Sequence, residues 1–217
     1  MRFSDMSYER PDIESVKQKM SEISEKLRSA TDYQAASEAF LDMESMSRHI
    51  DTLANLAYIR HSIDTRDEFY DKEIGFWNQV SPELAEYTQI FQKNLYGSSF
   101  RSEFEKEYGS IVFKNIELDL RSFSPDLIPL MQEENELVDE YRKLLASAQI
   151  PFEDGVYTLS QLTPYKNDPD DERRLSAWKA EGIWYKENQA DLDRIYDRLV
   201  HIRDEMGRKL GHDGYTE

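Results

Sequence analysis

Metal-assisted or acid–base chemistry in this chain would have to draw on four histidines, His49, His61, His201 and His212. None is followed by glutamate, so the HExxH zinc motif is absent from them. None stands three residues after a glutamate, which removes the Glu-x-x-His signature of di-iron bundles. His61 and Asp64 are three apart, as are His201 and Asp204, and residues so spaced can meet on one face of a helix. Such a pair could be an oriented general base, two ligands of a metal, or an ordinary polar contact. A site needs further convergent groups that the sequence does not supply, so the polar contact is the expectation. Glu133, Glu136 and Glu140 also recur at helical spacing. Paired acids do acid–base work when burial drives their pKa values apart; with no aromatic shielding around them, they read as a solvated face. No catalytic, cofactor-binding or metal-ligating residue is assigned.

Other chemistries are removed more simply. The chain has no cysteine, which excludes thiolate ligands, cysteine nucleophiles and disulfides. It has no glycine-rich phosphate loop. Trp178, Trp184 and Tyr185 could form a ligand-facing wall, but aromatic residues at helical spacing are usually core. Met43 and Met46 read as core too. The run from Tyr58 to Thr65, with Arg60-His61 at its centre, places polar groups where a helix ends, and reads as a hydrogen-bonded corner.

The formal charge is −17. Such a surface repels phosphate backbones and anionic lipid, so neither nucleic acid nor membrane is an expected partner. The first residues lack the apolar region of a signal peptide, and no apolar run approaches the ~20 residues that span a bilayer. A soluble cytoplasmic protein is the expectation. Aromatic residues make up 12% of the chain, too many for a disordered acidic polypeptide.

Helices must position these residues. Asp12 opens one with Ile13, Val16, Met20, Ile23 and Leu27 at helical spacing. Thr31 and Gln34 suggest a capping box for the next. That helix could continue to Ile63, about 48 Å at ~1.5 Å per residue, a length that calls for lateral partners. A third begins near Asp67. Pro82 should kink it or start a new helix, and Ser81-Pro82 suits the latter, as N-cap and first residue. Gly97 closes this stretch, and Gly109 separates two shorter helices. Ser124-Pro125-Asp126 opens another. Ile150–Thr158 reads as a hairpin turning at Glu153-Asp154-Gly155. Asn167-Asp168-Pro169 should cap the penultimate helix. The last carries Leu192, Ile195, Tyr196, Leu199, Ile202, Met206 and Leu210, and stops at Gly211. The fold class is all-α: a multi-helix bundle with long antiparallel helices and one small β-hairpin, a single lobe over residues 1–217.

Several blocks, in order, resemble the N-terminal portion of oligoendopeptidase F-type zinc metallopeptidases, in the thimet oligopeptidase-like superfamily. They are Phe3-Ser4-Asp5-Met6 with Tyr8-Glu9-Arg10-Pro11, Ile59–Thr65 with Asp67-Glu68-Phe69-Tyr70, and Phe123-Ser124-Pro125. Gln132-Glu133-Glu134-Asn135, Tyr141–Ala148, Leu159-Ser160-Gln161-Leu162 and Lys209-Leu210-Gly211 continue the series. The resemblance implies a parent whose zinc is held by HExxH and a more distant glutamate, downstream of the stretch present here. It also implies that these helices wall a channel enclosing short peptides, with the C-terminal catalytic region of the same parent as partner. The expectation is therefore a substrate-channel lobe, without a cofactor in this segment and inactive alone, which exposes an apolar face. The competing expectation is a non-catalytic acidic helical module binding a cationic or amphipathic partner.

Overall fold

The computed structural model describes residues 2–216. A short 3₁₀ turn, Phe3–Asp5, and an extended lead-in precede α1 (Ile13–Arg28). Then follow α2 (Tyr33–Ile63), α3 (Glu68–Tyr96), α4 (Arg101–Tyr108), α5 (Ser110–Ser122) and α6 (Ile128–Ala146). A hairpin of β1 (Ile150–Phe152) and β2 (Gly155–Tyr157) is succeeded by α7 (Thr163–Lys166), α8 (Asp171–Glu187) and α9 (Gln189–Lys209). The protein is all-α with one small antiparallel hairpin. Its chain folds into two compact units, the first running to Gln132 with Lys209–Gly211, the second holding Glu133–Arg208 and the residues from His212 onward.

Aspartates set where the main helices start. Asp12, Asp32, Asp67 and Asp170 each accept a hydrogen bond from a first-turn backbone N–H, satisfying donors that have no partner within the helix. Two expected caps are thereby corrected. Asp32 holds the place given to Thr31 with Gln34, and Asp170 the place given to Asn167-Asp168-Pro169. A carboxylate also favours the positive end of the helix dipole, an advantage a threonine hydroxyl lacks.

In the first unit, α1, α2 and α3 pack side by side. Val16, Met20, Ile23 and Leu27 of α1 meet Ala36, Ala39 and Met43 of α2 and Val80, Leu84, Phe91 and Leu95 of α3. The two alanines are fully buried and let the helices approach closely. Phe104 of α4 and Phe113 and Ile116 of α5 complete this core. Of the two alternatives at Pro82, the new helix is not formed: α3 runs on through it as one element. Pro82 itself is almost wholly buried, so apolar packing on both sides of it holds the helix together across the missing N–H. The Gln132 amide donates to Gln79 O at 2.7 Å, beside the carbonyl that Pro82 cannot serve.

In the second unit the hairpin pairs Ile150 with Tyr157 and Phe152 with Gly155. Its turn is Glu153-Asp154, with Glu153 at φ 51, so Gly155 belongs to the strand rather than to the turn. A lone hairpin is marginal in water. This one gains its core from outside: Ile150 and Phe152 bury themselves with Leu162, Ala177 and Trp184. On α9 the buried stripe is Ile195, Ile202 and Met206; Tyr196, expected in it, is 71% exposed, one residue off that face. Gly211, at φ +89, follows the helix end as anticipated.

Candidate functional site

Within the first unit lies a cavity of about 520 Å³. Its apolar wall comes from Met20 of α1, Met46 and Ile50 of α2, Trp77 of α3, and Phe123 and Met131 beyond α5. At its polar side Gln92 donates to the Asp119 carboxylate at 3.0 Å, and buried Gln89 donates to Phe123 O at 2.9 Å. Asp51 adds a second acid. Hydroxyls line the space as well, but no histidine does, so no nucleophile there has an imidazole base. The cavity can hold an apolar group with a positive end. Met43 is core, and Met46, partly buried, packs against that core and also lines this cavity.

The extended lead-in is clasped to α3 by a buried carboxylate. Glu73 is 4% exposed and receives two bonds from Arg10, at 2.6 and 3.0 Å, and a third from the Tyr8 hydroxyl. Trp77 Nε1–H donates in turn to Tyr8 at 3.1 Å. Burial pushes the Glu73 carboxyl up, but the Arg10 guanidinium and the Tyr8 hydroxyl outweigh it and hold the group below the usual carboxylate range. Burial and the Glu73 carboxylate push the Tyr8 hydroxyl far up, so it stays a donor. The Arg10 guanidinium also lies 4.4 Å from the Phe76 ring centroid. Such a fully partnered network fixes geometry and leaves no group free for chemistry. No sequence signal pointed to Glu73, because its partners lie more than sixty residues away in the chain.

The histidine pairs are not those the spacing suggested. His61 is buried, and its Nε2 lies 3.5 Å from Asp71 Oδ1 across the α2–α3 corner; Asp64 instead bonds Arg66. Asp64 is the C-cap of α2 and has extended backbone angles, so its side chain leaves the helical face where His61 could meet it. His201 turns back to Asp197, Nδ1 lying 2.8 Å from its carbonyl, while Asp204 pairs with Arg208. Helical side chains lean toward the N-terminus, and that lean favours the residue four back. At the corner, Arg60 donates to the Tyr70 hydroxyl at 2.7 Å and to Met6 O.

The glutamate row is paired rather than simply solvated. Arg198 of α9 binds Glu133 through two bonds, at 2.6 and 2.7 Å, Arg194 binds Glu140, and Arg203 binds Glu134 at 2.8 Å. These arginines lie four and five residues apart and reach one face of α6. The three aromatic residues divide: Trp184 is core, while Trp178 and Tyr185 are exposed at 53% and 40%. Among the described residues no three histidine, aspartate or glutamate side chains converge on a common point that could hold a metal ion. No helix of the described chain is long and apolar enough to cross a membrane.

These helices match the model of a known family. Residues 3–123 fit the model of the peptidase M3 N-terminal domain, and the chain belongs to that family. Three solved structures share its fold at a TM-score of 0.96 over 99% of its length. They are a protein assigned as an oligoendopeptidase F, 38% identical; PZ peptidase A with an inhibitor, 36% identical; and a protein assigned as an oligoendopeptidase F from Bacillus anthracis str. Ames, 36% identical. The chain spans 38%, 38% and 40% of those three chains. No curated protein matches it.

Proposed function

We propose that this chain is the substrate-channel lobe of a zinc-dependent oligoendopeptidase, shaping the space in which short peptides are cleaved while supplying none of the catalytic groups. The observation that carries the reading is the superposition of nearly the whole chain on about two-fifths of peptidase chains at a TM-score of 0.96. The two compact units act together as one lobe in this reading, and the catalytic region of the same parent is their partner.

The residues present do not fit a zinc site. Four-coordinate catalytic zinc takes three protein ligands and a water. His61 has one carboxylate beside it, Asp71, and is buried in a corner; His201 sits on an exposed helix face with Asp197. The metal of the parent then comes with ligands outside this stretch, and no catalytic step passes through these side chains. What the lobe contributes is enclosure: packed helices that admit a short peptide and keep longer polypeptides from the bond-breaking groups.

Cleavage of a short quenched-fluorescent peptide and of a long unfolded polypeptide, by the longer parent polypeptide and by its catalytic region without this lobe, tests the reading. The expected result is a strong preference for the short peptide in the parent and loss of that preference without the lobe. Hydrolysis by the 217-residue chain itself in added zinc would contradict it.

A further inference from the structure

One face of α8 is apolar, exposed and regularly spaced. Leu175, Trp178, Gly182 and Tyr185 follow one another at intervals of three, four and three residues, the spacing of the buried seam in a helix–helix pair. The core of this unit does not use that seam. Ala177 and Trp184 point into it, whereas Leu175, Trp178 and Tyr185 are 54%, 53% and 40% exposed. A glycine inside a helix is among the least favourable residues there, and at Gly182 nothing in the protein asks for one. A Cβ added at this position would meet nothing within 4 Å. The glycine leaves a notch beside Trp178 into which a foreign side chain or helix backbone can seat.

The seam is also prepared. Trp178 is steadied by Lys166, whose Nζ lies 4.7 Å from the ring centroid and which is itself bonded to Glu181. Tyr185 packs edge-on against buried Trp184, centroids 5.1 Å apart. Rigid, partly exposed aromatics lose little freedom on binding and supply much of the energy of an interface.

Charge names the occupant. Lys179 and Lys186 each follow directly after an aromatic residue of the seam, at the flanking position that sets partner choice in paired helices. Every other lysine and arginine of the second unit is engaged. Arg173 bonds Glu153, Arg174 bonds Asp171, Arg208 bonds Asp204, Lys143 pairs with Asp139, and α6 takes the remaining arginines of α9. Arg142 and Lys166 are engaged as well. Among the lysines and arginines of this unit's described residues, Lys179 and Lys186 alone have no hydrogen bond or ion pair, in a chain with a large acidic excess.

We infer that the Leu175–Tyr185 face of α8 is the docking seam for an amphipathic helix with acidic flanks, supplied by the part of the longer polypeptide that the solved relatives carry beyond the matched stretch. The relatives' chains are more than twice the length matched here, which leaves ample polypeptide to provide that helix. The inference rests on the proposed function for its source of the partner, and on α8 alone for the chemistry of the site.

Trp178 offers a direct readout, since Trp77 and Trp184 are both buried. Iodide quenching is measured for the 217-residue chain and for the longer polypeptide, each against its Trp178→Phe variant, so that the difference reports on Trp178. The expected result is strong quenching in the short chain and a drop of about tenfold in the longer one, with much of the quenching restored by Lys179→Glu with Lys186→Glu. As a second probe, a synthetic amphipathic helix of about the length of α8 with glutamate flanks should bind the short chain at least about tenfold more tightly than its lysine-flanked counterpart. The double charge reversal should invert that order while circular dichroism stays unchanged. Trp178 equally quenched in both polypeptides overturns the inference, even where the longer one cleaves peptides and the proposed function stands. Trp178 shielded in a longer polypeptide that cleaves nothing has the opposite meaning: the seam survives and the peptidase reading fails. Concentration-dependent dimers of the short chain that shield Trp178 would replace the inferred occupant with a second copy, and so overturn it.

Discussion

At the scale of single residues, the most consequential group is the buried carboxylate of Glu73. Its two partners differ in what they can recover when parted from it. The Arg10 side chain is 47% exposed and can return to water, whereas the Glu73 carboxylate cannot. Removing the cation should therefore hurt more than neutralising the acid. Arg10→Ala is expected to cost about 3 kcal/mol, because it strands a buried charge, and Glu73→Gln about 1 kcal/mol, because an amide keeps part of the network. Urea unfolding at neutral pH separates the two. The folded pKa of Glu73 is depressed, so its contribution is complete above the unfolded value near 4.5 and fades as pH falls through the folded value. With Arg10 gone, burial acts with less opposition, the folded pKa rises, and the acid transition of the variant should begin at higher pH than that of the parent. An unchanged acid transition would mean that the clasp carries no charge-dependent stability. The aromatic residues make a second contrast at this scale. Trp184→Ala should lose about 3–5 kcal/mol through the cavity it leaves, whereas Trp178→Ala should leave the midpoint of thermal unfolding almost unmoved.

At the scale of elements, the helices are set by a few local signals and then joined by packing. Asp67 accepts from two backbone N–H groups at the start of α3. Asp67→Ala should cost about 1 kcal/mol in denaturant unfolding, and Asp67→Asn or Asp67→Ser much less. Gly182→Ala should do the reverse, raising stability by about 0.5–1 kcal/mol, since no contact in the protein depends on the missing side chain. A loss of stability there would show an intramolecular role for the glycine. This scale is also where the sequence was most legible. The apolar period foretold the long α2, and glycines and the turn signal foretold the pause at Gly109, the hairpin and the stop at Gly211, because each depends on residues within one or two turns. It misplaced the N-caps of α2 and α8, where two or three capping residues stand side by side and only the backbone angles choose between them. It also favoured a new helix over a kink at Pro82, where α3 continues as one element. The strain of a proline is local, but the burial that overrides it comes from neighbouring helices, which no window of sequence contains. The site groups fared worse for the same reason. Glu73 with Arg10 and His61 with Asp71 join different elements, and the spacing of residues along one helix pointed instead to Asp64 and Asp204.

At the scale of the whole molecule, the account joins a family to a division of labour. The chain is an M3 peptidase N-terminal domain in sequence and fold, and it covers about two-fifths of the peptidases it superposes on. Its formal charge is −17. A surface so acidic makes electrostatic association steeply salt-dependent. Docking on the lysines of α8 should accordingly weaken as ionic strength rises, while the buried clasp at Glu73 should hardly respond. Titration of the glutamate-flanked helix at low and high salt, beside unfolding curves in the same buffers, checks that contrast.

The most direct measurement of the central claim compares size selectivity with and without this lobe. The longer parent polypeptide and its catalytic region alone are each given a mixture of a short peptide and an unfolded protein, and initial cleavage rates are read by mass spectrometry. The account predicts that the parent cleaves the short peptide and spares the protein, and that the catalytic region alone no longer discriminates. Equal selectivity in both would contradict it, and would leave these helices a role other than walling the substrate channel.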